Sequence, residues 1–365
     1  MASTADHATR RDALRAGLQA EGLNALLVTA LTNVRYLTGF TGSAGQVLIG
    51  ADPAADRFVT DDRYALQAAA QVPDLPSTIT RTDDWLAEAL AGMRQVGLEA
   101  DHLPWARVHD LTDVLSEQDA ADPPGLQPTR GLIARLRERK DDIEIARIAR
   151  AADVAARALE ALYGTVQPDW TERDAAVWLE RTMVDLGAEA AAFPTIVAAG
   201  THGAKPHHAP ADTPLGSNQL ITIDFGARVD GYHSDCTRVC SFGEPSRDER
   251  ALFEVVYTAQ QQGVAALADG IAGVDADAVC RAVIRDAGYG DYFRHGTGHG
   301  IGLEVHEGPS LSTRSRSTLT AAMVVTVEPG IYIPDLGGAR VEDTVAIGSG
   351  QAQVLTATPT PLAVL

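Results

Sequence analysis

Cysteine is scarce: Cys236, Cys240 and Cys280 are the only three in 365 residues. An odd, sparse set excludes a disulfide framework and fits a reducing compartment, so the expected location is the cytoplasm. Cys236 and Cys240 stand four apart, the start of a metal clasp, but no second pair follows. Strand alternation instead puts both on one face as small core residues. Long apolar runs are also missing. No window approaches the ~20 apolar residues of a spanning helix, and the polar stretch Met1–Arg11 lacks the apolar segment of a secretory signal. Basic residues are outnumbered 30 to 49, for a net charge of −19. Such a surface repels phosphate backbones and anionic lipid, so neither nucleic acid nor a membrane is an expected partner. Neither a low-complexity tract nor a short-period repeat occurs.

What is present is the composition of an ordinary globular protein, 45% apolar and 22% charged. The length exceeds one typical core, so two domains are expected. In the first third, an amphipathic helix over 9–21, with Leu14, Leu18 and Ala20 on its apolar stripe, precedes short strands at Ala25–Thr29, Gln46–Ile49 and Arg57–Thr60. Helices near Tyr64–Gln71, 84–94 and 108–117 alternate with a strand at Gly97–Ala100. That alternation predicts an α/β layer domain. Three prolines and a glycine across 120–130 mark a linker.

A helical stretch follows over about 130–163, whose charges, such as Glu138, Asp142, Glu144 and Arg150, suit a solvated face. A second helix opens at Thr171, where Thr171 and Asp174 have the spacing of a cap. Beyond residue 190 strands dominate: Thr195–Ala199, Gln219–Phe225, Gly231–Val239, Met323–Val327 and Val341–Ile347, interrupted by helices at 247–269 and 275–287. This second region reads as α+β.

The chemistry lies in that region. Asp224 sits in Ile-Thr-Ile-Asp-Phe-Gly, and Asp235 follows eleven residues later, with a turn at Asp230-Gly231 between them. Adjacent antiparallel strands would bring the two carboxylates together. Glu328 and Glu342 each stand within or at the end of an apolar run. A buried carboxylate needs a cation or a proton. One alone is more often part of a structural ion pair; four in one domain, with histidines between, favour a metal site. His295-Gly-Thr-Gly-His299-Gly-Ile-Gly302 carries too much glycine for a helix. It reads as a loop or distorted strand where backbone approaches something closely, or as a glycine-rich turn with incidental histidines. His306, seven residues on, favours the first. Four carboxylates balance two divalent cations, and oxygen-rich ligands with one imidazole suit Mn²⁺ or Co²⁺ better than a closed structural zinc site. The implied reaction is metal-assisted hydrolysis.

Together these segments resemble the creatinase/methionine-aminopeptidase metallopeptidases, in particular the proline-specific branch of prolidase and aminopeptidase P. In the amino-terminal third, Asn33-Val-Arg-Tyr-Leu-Thr-Gly-Phe40 and Thr60-Asp-Asp-Arg-Tyr64 resemble that branch's accessory domain. The resemblance implies an α/β accessory domain over 1–128 and an α+β pita-bread catalytic domain over 129–365. It implies metal ligands at Asp224, Asp235, His299, Glu328 and Glu342 for two ions, Mn²⁺ or Co²⁺ with Zn²⁺ as a further option. Glu328 would also shuttle a proton.

By the same resemblance His207, 17 residues before Asp224, is the catalytic histidine rather than its neighbour His208. His306 would hydrogen-bond the scissile carbonyl region, and His295 would line the proline pocket. Tyr332 and Arg340 would orient a metal-binding carboxylate and support the substrate site. The implied substrate is a small Xaa-Pro dipeptide, and the implied assembly a homodimer. The alternatives are an aminopeptidase P acting on longer peptides, a non-catalytic pita-bread binding protein, and a creatinase-like amidinohydrolase that works without metal. Some similar archaeal prolidases carry an arginine after Val-His-Glu to hold the dipeptide carboxylate. Here Val305-His306-Glu307-Gly308-Pro309 leads to Ser310, leaving Arg314, Arg316, Arg35 or Arg63 for that task.

Overall fold

The computed structural model describes residues 6–117, 123–356, 358 and 362–365. Residues 1–5 of the polar amino terminus and 120–122 of the expected linker lie outside them. The chain divides into two compact units, Met1–Arg137 and Glu138–Leu365.

The first unit is an α/β layer built on one six-stranded sheet. Its strands are β1 (Ala25–Val28), β2 (Gln46–Gly50), β3 (Arg57–Thr60), β4 (Ser77–Ile79), β5 (Gln95–Glu99) and β6 (Gly125–Thr129), in the order β4-β3-β2-β1-β5-β6. Only β2 runs against its neighbours. Helices α1 (His7–Ala20), α2 (Leu31–Thr38), α3 (Ala65–Gln71), α4 (Trp85–Ala89) and α5 (Trp105–Glu117) lie between strands or flank them.

Two departures from the sequence reading have physical causes. The proline-rich stretch is not all linker: 125–129 forms β6, with Pro128 opposite Leu98. β6 is an edge strand, where a residue without an N–H costs the sheet no ladder bond. Helix α2 escaped notice because its start is capped from a distance. The Glu99 carboxylate accepts the N–H groups of Thr29 and Ala30 at 2.7 and 2.8 Å, together with the Asn33 amide at 2.6 Å.

The expected single helix over 130–163 is two, α6 (Leu132–Glu138), where the first unit ends, and α7 (Asp142–Tyr163) of the second unit. The break is a new helix start. Asp141 caps α7 and exchanges hydrogen bonds with Glu144 in a capping box. Glu144 is therefore buried rather than solvated, and also accepts the Tyr232 hydroxyl at 2.9 Å. The Thr171–Asp174 box does cap α8 (Glu172–Asp185).

Two similar layers follow. Helices α7 and α8 pack on a sheet containing β8 (Ile196–Ala199), β9 (Ile221–Phe225) and β12 (Cys236–Ser241). α9 (Arg247–Ala266) and α10 (Gly273–Asp286) pack on one containing β13 (Gly298–Gly300), β14 (Glu307–Leu311), β15 (Val324–Val327) and β18 (Asp343–Ala346). The short strands β7 (Ala190–Ala191), β10 (Ala227–Val229) and β11 (Tyr232–His233) form a side sheet. β16 (Gly330–Ile333) and β17 (Gly337–Arg340) make a hairpin, and β19 (Gln353–Val354) and β20 (Ala363–Val364) close the edges. Cys236 and Cys240 both lie in the first of these cores, where burial pushes their thiols up to about 12. No helix among the described residues is long and apolar enough to cross a membrane.

The long hairpin from β9 to β12 turns at Asp230 and Gly231, both at positive φ, 49° and 76°. It tolerates no side chain at Gly226, where a Cβ would overlap the Ser234 carbonyl oxygen. Gly226→Ala should therefore lower stability by about 1–3 kcal/mol or more. Gly164→Ala, at φ −78° with no neighbour nearer than 3.6 Å, should be neutral or stabilising by up to about 1 kcal/mol. Urea midpoints of the two variants check the contrast.

Candidate metal centre

The β9–β12 ladder places Thr237 opposite Asp224. Asp235, two residues before Thr237, is then the diagonal neighbour of Asp224 on the same face of the sheet. From the other sheet, β13 supplies His299, the end of β15 supplies Glu328, and the residue before β18 is Glu342. A bridge between Thr237 and Glu342 joins the two sheets at this point, and the Thr237 hydroxyl donates to Glu342 Oε2 at 2.7 Å. All five side chains line one cavity of about 530 Å³. The glycines around His299 have a steric cause. A Cβ at Gly298 would strike the Thr326 carbonyl, and one at Gly300 the Gly308 carbonyl. The segment is thus a short, bulged strand in close backbone contact with its neighbours.

The electrostatics of the five are those of a cation site. His299 Nδ1 faces the Gly300 carbonyl at 3.1 Å, an acceptor only, so the ring proton resides there. Nε2 then turns a lone pair toward Glu328 Oε1 at 3.3 Å and Asp235 Oδ2 at 3.7 Å. Burial pushes the imidazole down to about 4, so it is neutral. A lone pair facing two carboxylates is repulsive unless a cation or a proton lies between them.

Burial, reinforced by the neighbouring carboxylates, holds Asp235 and Glu342 well above the usual carboxyl range. Burial likewise pushes Glu328 up to about 8. Asp224 Oδ1 and Glu342 Oε1 are buried with no hydrogen-bond partner among the described residues. Ligand atoms of Asp235, His299 and Glu342 lie within 4.8 Å of one another. The donor set therefore fits divalent cations, which would satisfy the orphaned oxygens and let the carboxyls ionise.

A chain of hydrogen bonds runs behind the carboxylates. Arg340 donates to Asp224 Oδ2 at 2.6 Å, to the Tyr332 hydroxyl at 2.8 Å and to the Pro206 carbonyl at 3.3 Å. Burial alone would lower its pKa, but Tyr332, Asp224 and Glu328 together hold it well above the ordinary value. His295 donates from Nδ1 to the Gly296 carbonyl, so Nε2 accepts the Tyr332 hydroxyl at 2.9 Å. Burial pushes His295 down to about 4, keeping it neutral. His207, His295, His306 and Arg340 line the cavity. Tyr332 does not; it reaches the cavity only through His295 and Arg340. His306 packs against His299, ring centroids 4.3 Å apart.

Arg314 and Arg316 are exposed and lie outside the cavity wall. Two carboxylates that serve the site were missed in the sequence. Asp277, buried at the face of α10, accepts the Thr297 N–H at 3.0 Å, and Thr297 in turn accepts the Glu328 N–H. A lone acid beside Ala276 and Cys280 on the apolar face of α10 was the available signal. The other, Glu172, was passed over beside its capping neighbours.

The sequence from 146 to 349 matches the metallopeptidase family M24. The chain belongs to that family. Residues 10–139 match the creatinase/prolidase N-terminal domain, and the catalytic unit is a pita-bread fold. An uncharacterised peptidase of Bacillus subtilis is 40% identical over 94% of this chain and 96% of its own length. A Bacillus anthracis Xaa-Pro dipeptidase superposes with TM-score 0.94 at 36% identity, over 99% of this chain and 100% of that one. A Thermotoga maritima X-Pro aminopeptidase superposes with TM-score 0.87 at 33% identity, over 94% and 98%. The M24 chain is thus an enzyme of the metallopeptidase class, with divalent ions as cofactors.

Metal-free protein should gain stability when Mn²⁺ or Co²⁺ is added. At a hundredfold excess over Kd the linkage is ~2.7 kcal/mol, a rise of roughly 5–10 °C in Tm. Asp235→Ala should lose most of that rise. The carboxyls must shed protons to bind, so metal affinity should fall as pH drops below about 8, the value of Glu328. Scanning calorimetry across pH tests both expectations.

Proposed function

We propose that this M24 enzyme hydrolyses the bond before proline in Xaa-Pro dipeptides, with Asp224, Asp235, His299, Glu328 and Glu342 holding two divalent ions. The single observation that carries this reading is a cavity that joins five such donors to four further histidines and an apolar wall of Phe193, Pro194 and Ile196. Similarity to the Bacillus anthracis dipeptidase along the whole chain supports the substrate class. Bound divalent ions supply a water of lowered pKa and polarise the scissile carbonyl.

The chain's own groups do the rest. Glu328, whose Oε1 lies 3.3 Å from His299 Nε2 on the cavity wall, is suited to take a proton from that water and return it to the leaving amine. His207 and His306, on the cavity wall, donate to the carbonyl oxygen as negative charge builds on it. His295, held neutral and fixed by Tyr332, lines the proline subsite beside the apolar wall. Arg340, donating to Asp224 Oδ2, holds that carboxylate in place on the cavity wall. All five metal positions are filled, which sets aside the metal-free creatinase-like and non-catalytic binding readings. Oxygen-rich ligands favour Mn²⁺ or Co²⁺ over Zn²⁺. The sparse, buried cysteines favour the cytoplasm, and a homodimer follows from the family resemblance alone.

One observation favours the aminopeptidase alternative. Arg340 is the only arginine of the cavity wall among the described residues, and it is committed to Asp224. No wall arginine is left for a dipeptide carboxylate.

The decisive assay compares Xaa-Pro dipeptides with Xaa-Pro-Xaa tripeptides on metal-loaded protein. Dipeptide cleavage abolished by chelator is expected; tripeptide cleavage alone would replace dipeptidase by aminopeptidase. Within this reading His207→Ala should lower kcat by ~10²-fold or more, and His208→Ala by less. A larger loss at His208 would reassign the catalytic histidine.

A further inference from the structure

Glu172 opens α8 with a completely buried side chain. Its Oε1 accepts the Ala199 N–H at 2.9 Å and faces His202 Nδ1 at 2.9 Å. Its Oε2 accepts the Ala211 N–H at 3.0 Å and faces His208 Nε2 at 2.8 Å. The four donors come from the two ends and the interior of one segment, 199–211. Beyond Ala199, the last residue of β8, its regular structure is a single 3₁₀ turn, Gly200–Ala204. That segment also supplies Pro206, His207, His208, Ala209 and Pro210 to the cavity wall. The backbone joins in, Glu172 N–H to the Thr213 carbonyl and Arg173 N–H to the Ala211 carbonyl. On the opposite side, Gly203 packs against Gly338 of β17, and Arg340 holds the Pro206 carbonyl.

Two histidines and a carboxylate are also a cation ligand set, and their ligand atoms lie within 4.8 Å of one another. The N···O separations are hydrogen-bond lengths, however. Each oxygen already has two donors, so a cation would have to displace well-placed N–H groups. Burial opposes ionisation of Glu172, but the N–H groups of Ala199 and Ala211 and the two imidazoles outweigh it and hold the carboxyl below its ordinary range. An ionised carboxylate only accepts, so each facing nitrogen carries a proton.

We propose that Glu172 is a positioning residue, an anionic junction that pins segment 199–211 and so sets His207 at the cavity wall. In this arrangement His202 is protonated on Nδ1 and His208 on Nε2. The kinetic consequence rests on the Xaa-Pro peptidase reading above; the tautomers do not.

The test uses metal-loaded full-length protein and the variants Glu172→Gln, Thr171→Ala and His202→Ala. A glutamine offers one acceptor oxygen and turns an NH₂ group toward donors. Glu172→Gln should lower kcat 10–100-fold with KM within threefold and two ions still bound. Thr171→Ala removes the adjacent cap and should lower Tm, yet keep kcat within twofold. Long-range ¹H–¹⁵N spectra of histidine-labelled wild type should show the two stated tautomers, and Glu172→Gln should lose them. Should Glu172→Gln fail to fold, the wild-type spectrum decides. Unchanged kcat in Glu172→Gln, or an unprotonated facing nitrogen in wild type, overturns the proposal. So does a third bound ion that His202→Ala abolishes, which would make the trio a metal site. If wild type cleaves no Xaa-Pro peptide, the peptidase reading fails while the spectra still judge the junction.

Discussion

Everything in the catalytic unit is arranged around an unfavourable proximity: four carboxylates and an imidazole lone pair facing one cavity with too few protein cations to balance them. Bare, such a cluster holds protons far above the usual carboxyl range. The desolvation of each charge amounts to several kcal/mol, more than hydrogen bonds to Thr237 or Thr326 recover. Divalent ions resolve the conflict, because one ion offsets two carboxylates at contact distance. The orphaned oxygens of Asp224 and Glu342 mark where that compensation is missing from the protein itself.

Holding such a cluster together requires rigid surroundings, which the fold provides by placing the five side chains on strands of two sheets or directly beside their ends. The Thr237–Glu342 bridge fastens one sheet to the other next to the cluster. Arg340 is the counterweight within the protein. One guanidinium reaches Asp224, Tyr332, Thr237 and the Pro206 carbonyl, so a carboxylate, His295 (through Tyr332) and the His207 segment are fixed relative to one another. Glu172 holds that segment from the other side. The most irregular stretch of the cavity wall is thus gripped between a buried cation and a buried anion.

Much of this was legible in the chain. Single acids at the ends of the apolar runs around Asp224, Glu328 and Glu342 announced buried charge, because burial without a partner is too costly to be incidental. The eleven-residue spacing with Asp230-Gly231 between Asp224 and Asp235 announced a hairpin, because a two-residue turn at positive φ favours glycine. Glycine on both sides of His299 announced close backbone contact. The bulk of the strands and helices followed from periodicity. Residues whose roles depend on distant partners were not legible. Glu144 has the look of a surface charge until Tyr232 is placed over it. Helix α2 has no local cap, its start being satisfied by Glu99 some seventy residues on. Pro128 marks a linker until β6 is seen to be an edge.

The sequence by itself determined which groups carry the chemistry and which of them cannot face water, since residue type and local hydrophobicity are properties of short segments. Only the tertiary structure decided how those groups meet. Pairing of β9 with β12, and of β15 with β18, sets which carboxylates share a face, and the hydrogen bonds of Arg340 and Glu172 span 8 to 134 residues of chain. Tautomers, elevated carboxyl pKa values and orphaned oxygens arise from the low-dielectric cavity that these contacts enclose. No short segment contains that cavity, because its walls come from segments that burial of the two cores brings together.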